Sequence, residues 1–303
     1  MLLIDTDPGL DDIHAISMAI RRLPADELAV TTVAGNVGID IVTTNARWLV
    51  GALGPDIPVY AGARGPLVGG PIEAVHIHGD NGLAGAPRIP DVLAPLRPGH
   101  AATAIVELAH TWGSELTIVA LGPLTNLAIA LQLDPGIADL IGGVVAMGGS
   151  PAGFGNASIN AEFNIYADPV AAEIVLERVP SVTLVTWDLC LDTRFSAEDL
   201  SAFWAGDSAA SSILRSVHEF RVAGDPGFAS SPDFGRADPL AMAVALDPTC
   251  VLRSVNHPVV VGHSGGLDHG ATVVDWRDSL ASRPSVTIVQ ELDRPKILDL
   301  LTV

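Results

Sequence analysis

Residues 1–16, MLLIDTDPGLDDIHAI, begin with an apolar run and continue directly into a set of closely spaced acidic residues: Asp5, Asp7, Asp11 and Asp12. The run LLID predicts a buried strand. The segment DDIHAISMAIRR that follows it predicts a helix, because its apolar residues recur at intervals of three and four. A buried strand that leads into an amphipathic helix is the first half of a βαβ unit, so this stretch indicates an α/β fold.

The same alternation of strand and helix continues to the end of the chain. Further strands are predicted at AVTTVAG, IPVYAG, LTIVALG, GVVAMGG, VTLVTWDL, HPVVVG and SVTIVQEL. This rhythm predicts one α/β domain over residues 1–303, with a mostly parallel, open, Rossmann-like sheet and helices on both faces. Residues 199–235 are helical at first and then rich in Gly, Pro, Ser and Phe, which predicts a helical lid region within that domain.

Composition and charge argue against several kinds of partner. The net charge is −19 over 303 residues, which would repel phosphate backbones and anionic membranes, so we expect neither nucleic acid nor a membrane as a partner. We expect a cytoplasmic protein, because residues 1–5 lack the basic residue and cleavage site of a signal peptide. Cys190 and Cys250 lie too far apart for a metal or redox motif and are expected to be free thiols.

The N-terminal aspartates indicate a metal site. Asp7 lies in the turn after the first strand while Asp11 and Asp12 begin the next helix, so all three are expected to point toward one spot. A single Asp at this place would more often be a helix cap. Three carboxylates crowded at a strand end raise one another's pKa unless a cation joins them, and a helix dipole supplies only about half a charge. A hard divalent cation such as calcium or magnesium would resolve the repulsion.

A set of motifs in chain order carries a family resemblance. The segments are DTDPGLDD, TVAGN, HIHGDNG, LGPLTNLA, VVAMGG and GNASINAEFNIYADPVAAEIV. Together they resemble the inosine-uridine preferring nucleoside hydrolase family over nearly the whole chain. The resemblance implies a calcium-dependent N-ribosyl hydrolase that splits a purine or pyrimidine nucleoside into ribose and free base. It also implies a homodimer or homotetramer, for which Trp204 is a candidate surface residue.

The resemblance implies specific metal ligands. They are Asp7, Asp12, the backbone carbonyl of Thr125, and Asp238, with Asp7 acting also as the catalytic base. A metal lowers the pKa of water, and a neighbouring carboxylate accepts the proton as that water attacks the sugar. Asp238 precedes a proline, where Asp commonly starts a helix, so capping and metal binding both remain open for it.

The resemblance also places a set of side chains on the substrate: Asp11, Asn36, His78, Met147, Asn156, Glu162 and Asn164. Of these, Asp11, Asn36 and Asn164 would hold the 2′ and 3′ hydroxyls of ribose. Glu162 and Asn156 would reach the 5′ hydroxyl, Met147 would pack on the sugar, and His78 would lie near the base. Glu162 and Asn164 are two apart and predict a shared face of an extended segment, whereas His76 and His78 predict opposite directions if their segment is extended.

One position departs from the family pattern. Many members carry His or Trp immediately before the last aspartate ligand, where this chain has Ala237. Alanine neither donates a proton nor stacks on a ring, so we expect that protonation of the leaving base is altered. The lid region offers other candidates: His218, Asp233 and Arg236 as acids, and Phe228 and Phe234 as stacking residues.

Two alternative functions fit parts of the sequence. An Asp-x-Asp phosphohydrolase also places its acids after a first strand, but that motif requires Thr where Gly9 stands, and Lys296 is the only lysine in the chain. A catalytically silent nucleoside-binding protein would keep the sugar pocket. Such a protein would have no need for a metal that activates water. Asp7 and Asp12 indicate such a metal and therefore argue against this alternative.

Overall fold

The computed structural model describes residues 1–54, 56–224 and 237–303. Its strands are β1 (Leu2–Thr6), β2 (Leu28–Thr32), β3 (Val59–Ala61), β4 (Thr117–Ala120), β5 (Gly143–Met147), β6 (Val182–Val185), β7 (Val251–His257), β8 (Val259–Val261), β9 (Thr272–Val274) and β10 (Val286–Leu292). Eight of them form one sheet in the order β3-β2-β1-β4-β5-β6-β10-β7. Every neighbouring pair in it is parallel except β10 and β7, while β8 and β9 form a separate antiparallel hairpin.

Helices follow most strands. They are α1 (Asp12–Arg22), α2 (Ile39–Leu53), α3 (Val75–His78), α4 (Ala101–Trp112), α5 (Thr125–Leu133), α6 (Ile137–Leu140), α7 (Phe163–Ala167), α8 (Pro169–Arg178), α9 (Trp187–Asp192), α10 (Ala197–Phe203), α11 (Ala209–Gly224), α12 (Ala237–Leu246) and α13 (Arg294–Leu301). None of the helices in the described part of the chain is long and apolar enough to span a bilayer.

Strand β1 shows why both faces of the sheet are covered. All five of its residues are buried, and successive side chains point to opposite faces. Leu2 and Ile4 pack in one core with helices α1, α2, α12 and α13, whereas Leu3 packs in the other with α4, α5 and α8. The predicted α/β fold, with a mostly parallel sheet between two helical layers, is therefore confirmed.

The order of the strands locates the site. The order reverses between β1 and β4, and in open α/β sheets such a reversal opens a crevice beyond the carboxyl ends of the strands. Asp7 follows β1 directly, so the predicted acidic cluster lies at this crevice.

Two strands were missed because they lack the pattern that marks a buried strand. Strand β7 is the antiparallel edge strand, and most of its residues are exposed, so its sequence VLRSVNH shows no continuous apolar run. Strand β9 has three residues and pairs only with β8.

The predicted lid region is only partly described. Helices α10 and α11 cover residues 197–203 and 209–224, while Phe228, Asp233, Phe234 and Arg236 lie outside the described residues. The prediction that Trp204 lies at the surface was wrong. Its side chain is 7% exposed and packs on His218, with the ring centroids 4.8 Å apart. Cys190 and Cys250 are free thiols, as expected.

Candidate active site

Asp7 is held at the carboxyl end of β1 by its neighbours. Its side chain is fully buried, and its Oδ2 accepts a hydrogen bond from the Asn36 backbone N at 2.7 Å. The residues after β2 and β4 close on this carboxylate. A Cβ on Gly122 would lie 2.7 Å from Asp7 Oδ1, and one on Gly35 would collide with Asp7 Oδ2. Both positions therefore require glycine for the backbone to approach so closely.

Asn36 connects the acidic side chains to one another. Its Nδ2 donates to the Asp7 backbone O and to Asp12 Oδ2, both at 3.1 Å. Asp12 also accepts from Thr6 Oγ1 at 2.5 Å and from the Gly9 backbone N at 2.9 Å. The Asp12 carboxylate is therefore fixed in direction before any ligand binds.

Two helix starts bring three carboxylates together. Asp11 precedes α1 without making a side-chain capping bond, Asp12 begins that helix, and Asp238 lies in the first turn of α12. One oxygen atom from each of the three lies within 4.8 Å of the others. The structure thus brings Asp11 and Asp12 to Asp238, whereas Asp7, another predicted ligand, is not one of the three.

The charges in this cluster lack compensation. Burial, followed by the Asp11 charge, raises the pKa of Asp12 to about 6. Burial and the Asp12 charge raise the pKa of Asp7 well above its usual range. Burial, reinforced by Asp11, Asp12 and Asp7, does the same for the pKa of Asp238.

An oxygen-lined divalent cation site fits these residues. Asp7 Oδ1 is buried and has no hydrogen-bond partner among the described residues, an arrangement that costs free energy unless something else satisfies the oxygen. Several carboxylate oxygens around one point are the ligands that calcium and magnesium prefer. Thr125, the remaining predicted ligand, is buried at the start of α5, just beyond β4.

A cavity of about 1020 Å³ opens above the cluster. Asp11, Asn36 and Asp238 form part of its floor, and it also reaches each of the other predicted substrate residues: His78, Met147, Asn156, Glu162 and Asn164. The structure therefore brings all seven predicted substrate-binding side chains to one cavity. Asp7, Asp12 and Thr125 are not among the residues that line it.

Glu162 and Asn164 reach the cavity from a helix rather than from an extended segment, so that part of the prediction was wrong. Glu162 is the N-cap of α7, and its two oxygens accept from the backbone N atoms of Gly149, Asn164 and Ile165. Burial nevertheless raises the pKa of Glu162 to about 7. Asn156 Oδ1 accepts from the Phe163 backbone N at 2.8 Å and joins the preceding loop to the same helix.

The Asn164 amide ties together two strand ends. Its Nδ2 donates to the Leu121 backbone O at 2.7 Å and to the Met147 backbone O at 3.2 Å, which lie beyond β4 and at the end of β5. Its position relative to the cluster is therefore fixed by the sheet itself. The Met147 side chain, 4% exposed, lies in the cavity wall beside it.

His78 also lies on a helix, since HIH forms most of the short helix α3, and both His76 and His78 line the cavity. They were expected to point in opposite directions if their segment were extended, and that condition is not met, because the segment is helical. Burial lowers the pKa of His78 to about 4. Its Nδ1 accepts from the Leu10 backbone N at 3.2 Å, so the neutral ring carries its proton on Nε2.

Sequence reasoning missed much of the opposite wall. Four further side chains line the cavity: His14 from α1, Trp187 from α9, Trp204 just after α10, and Arg221 from α11. Of the leaving-group candidates in the lid region, His218 is in this wall, and Ala237 lines the same cavity next to Asp238. No periodic pattern marks these side chains as functional, because each also belongs to an ordinary helix.

The raised carboxyl pKa values give an expected pH dependence of stability. The pKa of Asp5 is raised to about 6 by burial, as is that of Asp12, and that of Glu162 to about 7. The folded protein then binds protons more tightly than the unfolded chain, so this stabilisation is present at low pH and is lost as the pH rises through 6 to 7. In chelator, we expect the Tm at about pH 5.5 to exceed that at about pH 7.5 by several degrees.

Thermal denaturation in chelator across this pH range is the measurement. Glu162→Gln should flatten the upper part of the profile, because the variant has no proton to lose there. A Tm that rises from about pH 5.5 to 7.5 in chelator would show that other groups control the pH dependence.

Comparisons with known proteins agree on one family. The family model for inosine-uridine preferring nucleoside hydrolase matches residues 2–299. The chain is 35% identical over 301 residues to the inosine-uridine preferring nucleoside hydrolase of Leishmania major, covering 97% of this chain and 94% of the relative. It is 35% identical over 308 residues to the pyrimidine-specific ribonucleoside hydrolase RihA of Citrobacter koseri, covering 99% and 96%.

A solved structure agrees with the sequence comparisons. The plant nucleoside hydrolase PpNRh1 superposes with a TM-score of 0.88 at 31% identity, covering 99% of this chain and 97% of that one. The fold and the site thus define an α/β hydrolytic enzyme with an acidic pocket. This chain belongs to the inosine-uridine preferring nucleoside hydrolase family, whose members are N-ribosyl hydrolases.

Proposed function

We propose that this enzyme hydrolyses the N-glycosidic bond of ribonucleosides with water activated at a calcium site. The observation that carries the proposal is a cluster of three carboxylates, Asp11, Asp12 and Asp238, of which the last two are buried, at a cavity that is lined by every predicted substrate residue. One relative at 35% identity is named for both inosine and uridine and the other is named as pyrimidine-specific, so both a purine and a pyrimidine nucleoside belong in the assay.

Asp7, Asp12, Asp238 and the backbone carbonyl of Thr125 are the proposed calcium ligands. Their chemistry fits, since all are oxygen donors, and the buried carboxylates repel one another in the absence of a cation. A calcium ion held there supplies a positive charge that orients water and lowers its pKa.

Asp7 is the proposed general base. Its Oδ2 is engaged by the Asn36 backbone N, whereas its buried Oδ1 has no hydrogen-bond partner among the described residues and remains for a proton. As the water oxygen bonds to the anomeric carbon, Asp7 Oδ1 takes the water proton, and the electrons of the C–N bond leave with the base.

The floor of the cavity suits the sugar in its transition state. The breaking C–N bond leaves positive charge on the ribosyl ring, and the carboxylates of Asp11 and Asp238 lie where that charge develops. Asp11, Asn36 and Asn164 are proposed to hold the 2′ and 3′ hydroxyls. The 5′ hydroxyl is assigned to Asn156 and Glu162, because both line the cavity and both bond to the start of α7, Glu162 as its N-cap and Asn156 through the Phe163 backbone N.

Protonation of the leaving base requires a group other than those that are proposed to hold the sugar. His78 is neutral at working pH because of its low pKa, so its Nε2–H suits hydrogen bonding to the base rather than proton transfer. Ala237 contributes no proton. We propose His218 as the acid, since it lies in the wall of the cavity that also contains Ala237.

A pair of substrates tests the role of His218. His218→Ala should lower kcat for uridine or inosine by about 10²-fold, the lower end for a lost general acid, because the departing base then leaves unprotonated. With p-nitrophenyl riboside the loss should be less than about threefold, since that leaving group needs no proton. Steady-state kinetics on both substrates provide the measurement.

His110→Ala is the matched control, because His110 is an exposed histidine on α4 that pairs with Asp134. It should leave both substrates unaffected. Equal losses on both substrates in His218→Ala would assign His218 to packing against Trp204 instead of to proton transfer.

Release of ribose from uridine and inosine, with and without calcium, tests the proposed function as a whole. Calcium-dependent release of free base and ribose supports it. Nucleoside binding without release in calcium would instead identify a silent nucleoside-binding protein, the alternative that Ala237 raises.

A further inference from the structure

We propose that Asp168 and the hydroxyl of Thr125 form a positioning pair that sets the calcium affinity of the site. Neither the Asp168 carboxylate nor the Thr125 hydroxyl is among the proposed calcium ligands. The inference rests on the proposed function, because it concerns the calcium that Thr125 is proposed to bind through its backbone carbonyl.

Asp168 makes more hydrogen bonds than a helix cap requires. Its Oδ1 accepts from the Ala171 backbone N at 3.0 Å and caps α8. Its Oδ2 accepts from Thr125 Oγ1 at 2.7 Å and from the Leu67 backbone N at 2.8 Å. One oxygen is sufficient for capping, so the second oxygen is used entirely to join two distant segments.

Both side chains of the pair are sealed from solvent. Asp168 and Thr125 are each 1% exposed, although Asp168 is a carboxylate and needs compensation when buried. A buried carboxylate with three short hydrogen bonds is rigid, because any displacement leaves charge unsatisfied. The Thr125 side chain is therefore held in one direction.

The start of α5 depends on such anchors. Leu124 at the N-cap of this helix makes no side-chain capping bond. Instead, Asp168 holds Thr125 on one side. On the other side, Asn126 donates its Nδ2 to Asp5 Oδ1 at 2.8 Å. Two buried carboxylates thus fix the two residues at the helix start, the first of which bears the proposed carbonyl ligand.

The same carboxylate also holds a loop that leads to the substrate wall. Leu67 belongs to the loop that continues to Ile72 and Glu73, both of which line the cavity ahead of α3. Asp168 therefore connects the proposed metal edge to the wall that carries His78. Groups behind metal ligands typically change metal affinity by about 10- to 100-fold when they are removed.

Thr125→Val is the direct test, because it removes the hydroxyl and keeps the shape and the backbone carbonyl. Calorimetric titration with calcium should show an affinity about tenfold weaker than wild type. Thr125→Ser retains the hydroxyl, so it should restore most of that affinity. A pair with a purely structural role would lower the Tm in chelator and leave the calcium affinity unchanged, which would overturn the proposal.

Asp168→Asn is the second variant, with Asp247→Asn as its matched control. Asp247 also precedes a proline, caps a helical turn and accepts a threonine hydroxyl, that of Thr249, but it is only half-buried and lies just beyond the end of α12. Asp168→Asn should weaken calcium binding about tenfold, and Asp247→Asn should leave it unchanged. Equal affinities in the two variants would contradict the proposal. Failure of wild-type protein to bind calcium would contradict the proposed function instead.

Discussion

Asp7→Asn should lower kcat for uridine and inosine by about 10⁴-fold, the upper end for loss of a general base. Asparagine preserves the size of the side chain and one oxygen at the site, but it cannot accept the proton of the attacking water. Because Asp7 does not line the cavity, nucleoside binding should change by less than about threefold. Single-turnover kinetics and nucleoside titration measure the two effects separately.

Asp5→Asn is the control for burial. Asp5 is a fully buried aspartate two residues earlier, in β1, and it is neither a proposed calcium ligand nor the proposed base; its Oδ1 accepts from Thr31 Oγ1 and from Asn126 Nδ2. It should lower kcat by less than about tenfold. A loss in Asp7→Asn no larger than in Asp5→Asn would remove Asp7 from the role of base.

Removal of calcium should abolish nucleoside hydrolysis and also destabilise the protein. The ion offsets the repulsion among these carboxylates, since the charges of Asp11 and Asp12 raise the pKa of Asp7, and the charges of Asp7, Asp11 and Asp12 raise the pKa of Asp238 when no ion is bound. At a calcium concentration 100-fold above Kd, binding stabilises the folded state by about 2.7 kcal/mol, so chelation should lower the Tm by several degrees.

Assays before and after chelation, followed by addition of calcium, measure both effects. Activity and Tm should return together as calcium is added. Full hydrolysis in excess chelator would contradict the proposal that calcium takes part. Recovery with magnesium but not with calcium would keep the site and change the identity of the ion.

The sequence was sufficient to predict the strands and helices whose apolar residues recur at regular intervals. Strand β1 and helix α1 follow from apolar spacing, and the same spacing predicts the other parallel strands, because buried strands read as continuous apolar runs. The closeness of Asp7 to Asn36 was also predictable, since the carboxyl ends of neighbouring parallel strands meet at one edge of the sheet.

Local pattern was insufficient where a residue's role depends on distant partners. The sequence left open whether the segment of His76 and His78 is extended, because the four residues of helix α3 are too few to show a helical periodicity. Trp204 was assigned to the surface, although it packs against His218 fourteen positions later. Asp168 appeared in the sequence only as part of a longer motif. Its hydrogen bond to Leu67 was not predictable, because it joins residues 101 positions apart and no local rule covers that distance.

A crystal structure determined from crystals grown with calcium, with anomalous data collected to identify the ion, tests the central claim most directly. We expect one anomalous peak bounded by the carboxylates of Asp7, Asp12 and Asp238 and the backbone carbonyl of Thr125. An arginine side chain or ordered water in that position, with no anomalous signal at millimolar calcium, would contradict the claim that these aspartates hold the ion.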